Sequence, residues 1–292
     1  MNTATRLGAF AAGLAAVFGA ALGLGGLVGP VGATAEDGHG SEHGSGHESG
    51  TPAAAAPPGG LQISAGGYTF HPRATEIAAG RRTDFRFTID GPDARPVTRY
   101  EPLHGKPLHL IVARRDLSGF QHLHPVLGAG GVWSVPVTLA DPGTYRFFTD
   151  VKPAGAAQAT LGADVTVPGD QRPAPLPAAS RTATVDGYEV RLDGDLAAGR
   201  SSALTFTVTR GGAPVTDLRP YLEAYGHLVA LRRGDLAYLH VHPDGEPGDG
   251  RTRPGPRIAF HAEVPSAGTY RLYLDFEHGG TVRTAEFTAT AR

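Results

Sequence analysis

The chain has 292 residues, 40% of them hydrophobic, with a formal net charge of −2, 42 glycines, 24 prolines and no cysteine. The absence of cysteine excludes disulfides, thiolate metal sites and cysteine nucleophiles, and the single methionine, Met1, excludes a thioether-rich Cu(I) site. The basic residues form no block that resembles a nucleic-acid patch, so we expect no nucleic-acid partner; the length favours about two domains.

Residues 1–35 begin with a short segment that carries Arg6, continue as an apolar run, and end in Ala33-Thr34-Ala35. This pattern is typical of a secretory signal peptide, and the run, at roughly 20 apolar residues, is also long enough to serve as an uncleaved membrane anchor. Both alternatives place the rest of the chain outside the cytoplasm, either secreted or anchored to the outer face of the cytoplasmic membrane.

Residues 36–59 are a low-complexity segment of Gly, Ser, Ala and Pro that contains His39, His43 and His47. Such a segment buries too little apolar surface to offset its ordering entropy, so we expect a disordered, His-rich linker. Its histidines either gather metal ions loosely or are incidental to a solvated tether.

From residue 60 the chain repeats itself in the same order. Ala78-Ala79-Gly80-Arg81 recurs as Ala197-Ala198-Gly199-Arg200, Pro96-Val97-Thr98 as Pro214-Val215-Thr216, and Gly143-Thr144-Tyr145-Arg146 as Gly268-Thr269-Tyr270-Arg271. We therefore predict a first repeat at 60–168 and a second repeat at 182–292, joined by a linker rich in Pro and Ala at 169–181.

Each repeat contains short strand candidates bounded by Gly, Pro or Asp. Those of the first repeat are 84–89, 108–113, 120–124, 132–139, 144–151 and 159–167, and those of the second are 204–209, 227–231, 237–242, 257–264, 269–276 and 281–290. About seven strands in roughly 110 residues predict an all-β fold of two tandem Ig-like antiparallel β-sandwiches.

The stretches that end in Tyr145 and Tyr270 resemble the tyrosine corner of Ig-like folds, in which the hydroxyl of a Tyr that opens a strand bonds back to the backbone. Phe147 and Leu272 stand where those folds have a Cys. We therefore expect the core to be held by packing alone.

The most specific motif is His-x12-His-x-His, which occurs once in each repeat as His109, His122 and His124, and as His227, His240 and His242. Alternate residues of a strand share a face, so each His-x-His pair presents two imidazoles side by side. A third imidazole from a neighbouring strand completes a triad with an open position, which suits Cu(II) first and Zn(II) second. The sequence therefore predicts a non-catalytic metal-binding protein.

Two features qualify this prediction. His109 shares its strand face with Ile111 and Ala113, so that face is either the core side of the sandwich, with His109 at its rim, or a metal-binding face. Asp150 and Asp275 occupy matching strand ends and are candidates for a fourth ligand or for an acceptor that fixes an imidazole tautomer. The histidines that occur in one repeat only, His71, His104, His261 and His278, are expected to be incidental, with the alternative that His261 and His278 enlarge a site in the second repeat.

The stretches Pro107-Leu108-His109-Leu110-Ile111-Val112, Phe120-Gln121-His122-Leu123-His124-Pro125 and Pro142-Gly143-Thr144-Tyr145-Arg146 together resemble a group of bacterial secreted or membrane-anchored proteins. That group has Ig-like, YtkA-like domains associated with copper or other heavy-metal handling. The resemblance covers residues 60–292 and implies a metal-handling role. The expected partners are a metal ion and a membrane or metal-transport protein.

Two alternatives stay open at this point. One is a metal-free adhesion or interaction scaffold of two sandwich domains. The other is a redox metalloenzyme, because His240-Val241-His242 looks like the His-Val-His strand of copper-zinc superoxide dismutases. The chain lacks the Cys pair and an obvious bridging His of those enzymes, so we expect that it is not an enzyme.

Overall fold

The computed structural model describes residues 57–292. The predicted signal peptide or anchor at 1–35 and most of the predicted linker at 36–59 lie outside the described residues. Within 57–292, no helix is long and apolar enough to cross a membrane, and the one helical segment is a single turn, Ala129–Gly131.

The first repeat is built from two antiparallel sheets. Its strands are β1 (Ser64–Ala65), β2 (Tyr68–Pro72), β3 (Thr83–Asp90), β4 (Tyr100–Glu101), β5 (Leu108–Arg114), β6 (Gln121–Leu123), β7 (Val126–Leu127), β8 (Trp133–Val137), β9 (Gly143–Pro153) and β10 (Ala159–Val167). One sheet has the order β1-β2-β3-β8-β7, and the other has the order β10-β9-β5-β6 with β4 added to β9.

The second repeat has the same plan. Its strands are β11 (Thr182–Val185), β12 (Tyr188–Asp193), β13 (Ser201–Arg210), β14 (Ala213–Pro214), β15 (His227–Arg232), β16 (Tyr238–Pro243), β17 (Arg257–Glu263), β18 (Gly268–His278) and β19 (Thr281–Ala291). A short pairing of β16 with β17 joins its two sheets into the order β11-β12-β13-β17-β16-β15-β18-β19, with β14 on β13.

The predicted all-β fold with two Ig-like repeats is confirmed, and each predicted strand overlaps an observed one. The outer hairpins β1–β2 and β11–β12 are not among the predicted strands. In the second of these, Asp186 and Gly187 adopt the left-handed region with φ of 47° and 78°, which is the conformation of a tight hairpin turn. An Asp-Gly pair is typical of such a turn, so the sequence contained the information to predict this hairpin.

The tyrosine corner is confirmed in both repeats. The Tyr145 hydroxyl donates to the Asp141 carbonyl oxygen at 3.0 Å, and the Tyr270 hydroxyl donates to the Ser266 carbonyl oxygen at 2.8 Å. Both rings are buried in the core of their own sandwich. Burial of the rings is stabilising only because each hydroxyl finds this acceptor.

A third apolar cluster lies between the repeats, and we call it the inter-repeat core. Its buried members are Ile111, Ala113, Leu117, Phe148, Val229, Leu231, Leu236, Tyr238 and Tyr273. Phe120 of the first repeat stacks on Tyr273 of the second with 3.9 Å between ring centroids, and the Tyr273 hydroxyl donates to the Leu117 carbonyl oxygen at 2.6 Å. The face of β5 that carries Ile111 and Ala113 is therefore buried against the other repeat, while Leu108, Leu110 and Val112 face the core of their own sandwich.

Candidate metal centre

The first-repeat triad converges at one end of the inter-repeat core. His109 lies on β5, His122 lies on β6 opposite Ile111, and His124 directly follows β6. The ring centroids are 5.2 Å apart for His109 and His122, 5.0 Å for His109 and His124, and 4.8 Å for His122 and His124. One ring nitrogen of each lies within 4.8 Å of the other two, so the structure brings together the three residues that the motif predicts.

The tautomer of His109 is set by a backbone carbonyl. His109 is fully buried, and its Nε2 donates to the Leu103 carbonyl oxygen at 2.7 Å. Because Nε2 carries the hydrogen, Nδ1 of the neutral ring carries the lone pair. That Nδ1 lies 2.9 Å from His122 Nε2, so a lone pair of His109 points into the triad.

The orientation of His122 is set by the second repeat. Its Nδ1 donates to Asp275 Oδ2 at 2.7 Å, and the two side chains are only 5% and 3% exposed. Thr284 donates its hydroxyl to the other carboxylate oxygen, Asp275 Oδ1, at 2.6 Å. Asp275 thus acts on the triad of the first repeat, a pairing across the repeats that the sequence did not predict.

These contacts show what a metal ion would replace. Because the outer nitrogens of both rings donate, the 2.9 Å contact between His109 Nδ1 and His122 Nε2 is a hydrogen bond only when the two rings share one further hydrogen. The Asp275 carboxylate lies where it balances the charge of that hydrogen. A metal ion bound at these two nitrogens would take the place of the shared proton.

His124 completes the triad as a neutral ligand. Its Nε2 is buried and has no hydrogen-bond partner among the described residues, an arrangement that is rare for a buried polar atom. Burial, together with the neighbouring His122, Lys106 and His227, lowers the pKa of His124 to about 3. The imidazole is therefore neutral at neutral pH, and its lone pair is available.

This depressed pKa predicts a pH dependence of stability for the metal-free protein. Between its ordinary pKa of about 6.5 and its folded pKa of about 3, His124 binds a proton in the unfolded state only, so acidification favours unfolding. We expect His124→Gln to reduce the loss of unfolding free energy between pH 7 and pH 5 by up to about 2 kcal/mol. Urea denaturation at both pH values measures this, and equal losses in the two proteins would contradict the assignment.

His227 of the second repeat lies beside the first-repeat triad. Its ring centroid is 6.5 Å from that of His109 and 6.3 Å from that of His122. Its Nε2 donates to the carbonyl oxygens of Tyr221 and Leu222, both at 3.0 Å, so its Nδ1 carries the lone pair. The structure describes His240 and His242 by their backbone only, with His240 opposite Val229 as His122 is opposite Ile111.

Asp150 occupies the position in the first repeat that Asp275 occupies in the second. It lies opposite His109 across β5 and β9, as Asp275 lies opposite His227 across β15 and β18. Its Oδ1 accepts from Gln158 Nε2 at 2.8 Å and from the Thr160 hydroxyl at 3.1 Å. Tyr238 of the second repeat also hydrogen-bonds to it, and burial raises the pKa of Tyr238 well above its usual value.

One further imidazole belongs to the site. His104, which the sequence predicts to be incidental, has its ring centroid 5.4 Å from that of His227 and 6.1 Å from that of His109. Repetition did not reveal it because Leu222 stands at the equivalent position of the matching turn, Tyr221–Ala224. We call His104, His109, His122, His124 and His227 the histidine cluster.

The remaining single histidines lie in other surroundings. His71 is 3.5 Å from an Asp90 carboxylate oxygen and His261 is 3.7 Å from one of Asp244, while both rings are more than half exposed. His278 hydrogen-bonds to the Tyr188 hydroxyl at 2.6 Å.

Two Ig-like sandwiches with histidines of both repeats at their junction define a tandem β-sandwich protein with a candidate metal centre between its domains. The domain of unknown function DUF8832 matches residues 63–169 and again residues 183–292. The chain therefore belongs to the DUF8832 family and carries its domain twice. A search of curated proteins found no match.

Among solved structures, the chain is similar to FdeC, an Escherichia coli adhesin, at 14% identity and a TM-score of 0.27 over 78% of this chain and 65% of that one. It is also similar to InvD of Yersinia pseudotuberculosis, at 13% identity and a TM-score of 0.27 over 78% and 58%. The integrin-binding bacterial protein invasin shares 11% identity at a TM-score of 0.21 over 76% and 39%. The chain spans less than two thirds of the length of each.

Proposed function

We propose that the protein binds one divalent metal ion, Cu(II) first and Zn(II) second, through His109, His122 and His124. The observation that carries this proposal is the buried, unpartnered Nε2 of His124, on a ring whose centroid is 5.0 Å and 4.8 Å from those of two imidazoles. The outer nitrogens of those two imidazoles are already committed to Leu103 and Asp275. An imidazole held by a carboxylate on its far side is the usual arrangement around a metal-ligating histidine.

The spacing of the rings fits shared coordination. With metal–nitrogen bonds of about 2.1 Å, two imidazoles on one ion place their nitrogens roughly 3–4 Å apart and their ring centroids roughly 4.5–6.4 Å apart. The three centroid distances, 4.8–5.2 Å, lie in this range. The 2.9 Å between His109 Nδ1 and His122 Nε2 corresponds to a nitrogen–metal–nitrogen angle that is nearly a right angle. The widest nitrogen pair lies within 4.8 Å.

The chemistry of the donors favours a borderline metal ion. Imidazole nitrogen suits Cu(II) and Zn(II), and the order of affinities for divalent ions puts Cu(II) first. Asp275 provides the nearby negative charge that a buried divalent ion requires. Three protein ligands leave a position for water or for a ligand of a partner.

The role we propose is that of a non-catalytic metal carrier or sensor outside the cytoplasm. The apolar segment at 1–35, as a signal peptide or anchor, supports this location, and the resemblance to YtkA-like proteins supports copper as the metal. The open coordination position is suited to exchange of the ion with a membrane or metal-transport protein.

Isothermal titration of the full chain with Cu(II) and Zn(II) at neutral pH tests the proposal. The background protein carries His39→Asn, His43→Asn and His47→Asn, which removes the histidines of the linker. We expect at least one tight equivalent, with release of about one proton from the His109–His122 pair, when the heat is compared across buffers of different ionisation enthalpy. Absence of tight binding would refute the proposal.

Asp275→Asn isolates the contribution of the second repeat to the site. An amide keeps the size of the side chain but loses the charge that holds His122, so we expect metal affinity to fall by about 10- to 100-fold. Asp217→Asn is the matched control, because Asp217 is exposed and bonds to His278 instead. Equal affinities of the Asp275 variant and the wild type would show that Asp275 does not support the ligand.

One observation favours a second candidate, a metal-free interaction scaffold. The chain from Leu103 through His109 and His122 to Asp275 is a complete hydrogen-bonded path that links the repeats. In this alternative the hydrogen-bonded path holds the two repeats together beside the inter-repeat core and binds no metal ion. The titration distinguishes the two candidate functions, because a protein without a metal site takes up no ion and releases no proton.

A further inference from the structure

A cleft of about 660 Å³ opens beside the histidine cluster and is lined by residues of both repeats. The first repeat contributes His104. The second contributes two carboxylates, Glu223 and Glu246, both exposed to solvent, among prolines and small residues. The cleft therefore combines an imidazole with two carboxylates.

His104 lies at both the cleft and the cluster. It sits in the tight turn Leu103–Lys106, where it and Gly105 adopt left-handed φ values of 47° and 71°. Its ring centroid distances of 5.4 Å to His227 and 6.1 Å to His109 fall within the roughly 4.5–6.4 Å spanned by two imidazoles on one ion. His104 is therefore close enough to share one ion with His227 or His109, and an ion held by His104 would reach the buried rings by exchanging one ligand for another.

Glu223 lies against the same turn. A Cβ placed on Gly105 would be 3.4 Å from Glu223 Oε1, so the carboxylate is next to the backbone that carries His104. A negative charge at the mouth of a cleft raises the local concentration of cations and the rate at which they associate, and salt weakens the effect.

We propose that His104, with the carboxylates of Glu223 and Glu246, forms the access route through which a divalent cation reaches His109, His122 and His124. This inference rests on the proposed function. A hydrated Cu(II) ion exchanges waters for His104 and a carboxylate, and the triad then displaces these ligands. The waters and the hydrogen that His109 and His122 share leave to solvent, and the ion keeps its oxidation state.

Stopped-flow loading with Cu(II) tests the route in the full chain that lacks the linker histidines, followed by the absorption of the Cu(II)–imidazole complex. His104→Asn is the informative variant because Asn tolerates the left-handed turn. We expect at least a tenfold lower association rate, an equally lower rate of loss to a chelator, and an unchanged equilibrium affinity. Glu223→Gln with Glu246→Gln is expected to slow loading and weaken its dependence on salt.

His71→Asn is the matched control, because His71 is exposed and pairs with Asp90. Unchanged loading by the His104 variant would overturn the route, and so would a loss of affinity at an unchanged association rate, which would make His104 a resident ligand. Failure of the wild-type protein to bind Cu(II) is a separate result that refutes the proposed function itself.

Discussion

His122→Ala combined with His124→Ala is expected to lower the affinity of the full chain for Cu(II) by on the order of 10⁴-fold. Metal binding at a four-ligand protein site contributes about 10–16 kcal/mol, or roughly 3 kcal/mol for each ligand, and this variant removes two of three. The measurement is competition for Cu(II) against a chelator of known affinity, in the background without the linker histidines.

The matched control replaces two histidines outside the cluster, His71 and His261, both more than half exposed. A single variant, His124→Ala, separates ligation from folding, because it leaves the buried pair of His122 and Asp275 intact. We expect about 100-fold weaker binding from that single change. Undiminished affinity in the double variant would mean that the ligands lie elsewhere in the chain.

Phe148→Ala is expected to lower the free energy of unfolding by about 3–5 kcal/mol and to weaken metal binding as well. Phe148 is fully buried in the inter-repeat core, where its ring packs on Tyr238 of the second repeat at 5.4 Å between centroids. The cavity left by a deleted aromatic ring accounts for the stability loss. Affinity falls because Asp275 reaches His122 only when the repeats are docked.

Phe147→Ala provides the matched comparison, since the neighbouring ring is equally buried but points into the core of the first sandwich, 4.5 Å from Phe85. It should cost similar stability while leaving the docking of the repeats, and hence the affinity of the folded protein, close to wild type. Calorimetry measures the stability of both variants, and competition for Cu(II) measures their metal affinity. Equal metal affinities in the two variants would show that docking does not support the site.

The strands and the repeat were predictable because they depend on local patterns. Period-two alternation, turn residues and the duplicated tyrosine corner each act over a few residues, and the observed strands and the bonds of Tyr145 and Tyr270 agree with them. The same periodicity predicts that His122 and His124 share one face, and the structure brings both together with His109.

The partners of that triad were not predictable. Periodicity shows that His109, Ile111 and Ala113 share a face, but it does not say whether the face meets its own sandwich, solvent or the other repeat. The sequence indicates Asp275 as a candidate support, but no pattern in it indicates that Asp275 binds His122 of the other repeat. His104 gave no signal, because its equivalent in the second repeat is Leu222.

The sequence by itself determined the all-β fold, its duplication and the histidine triad of the first repeat, since backbone alternation and turn chemistry depend on neighbouring residues. Only the tertiary structure decided that the repeats dock through the outer faces of β5 and β15, and that Asp275, His227 and His104 therefore surround one centre. Docking depends on the shape and apolar character of two whole surfaces, which no local pattern along the chain specifies.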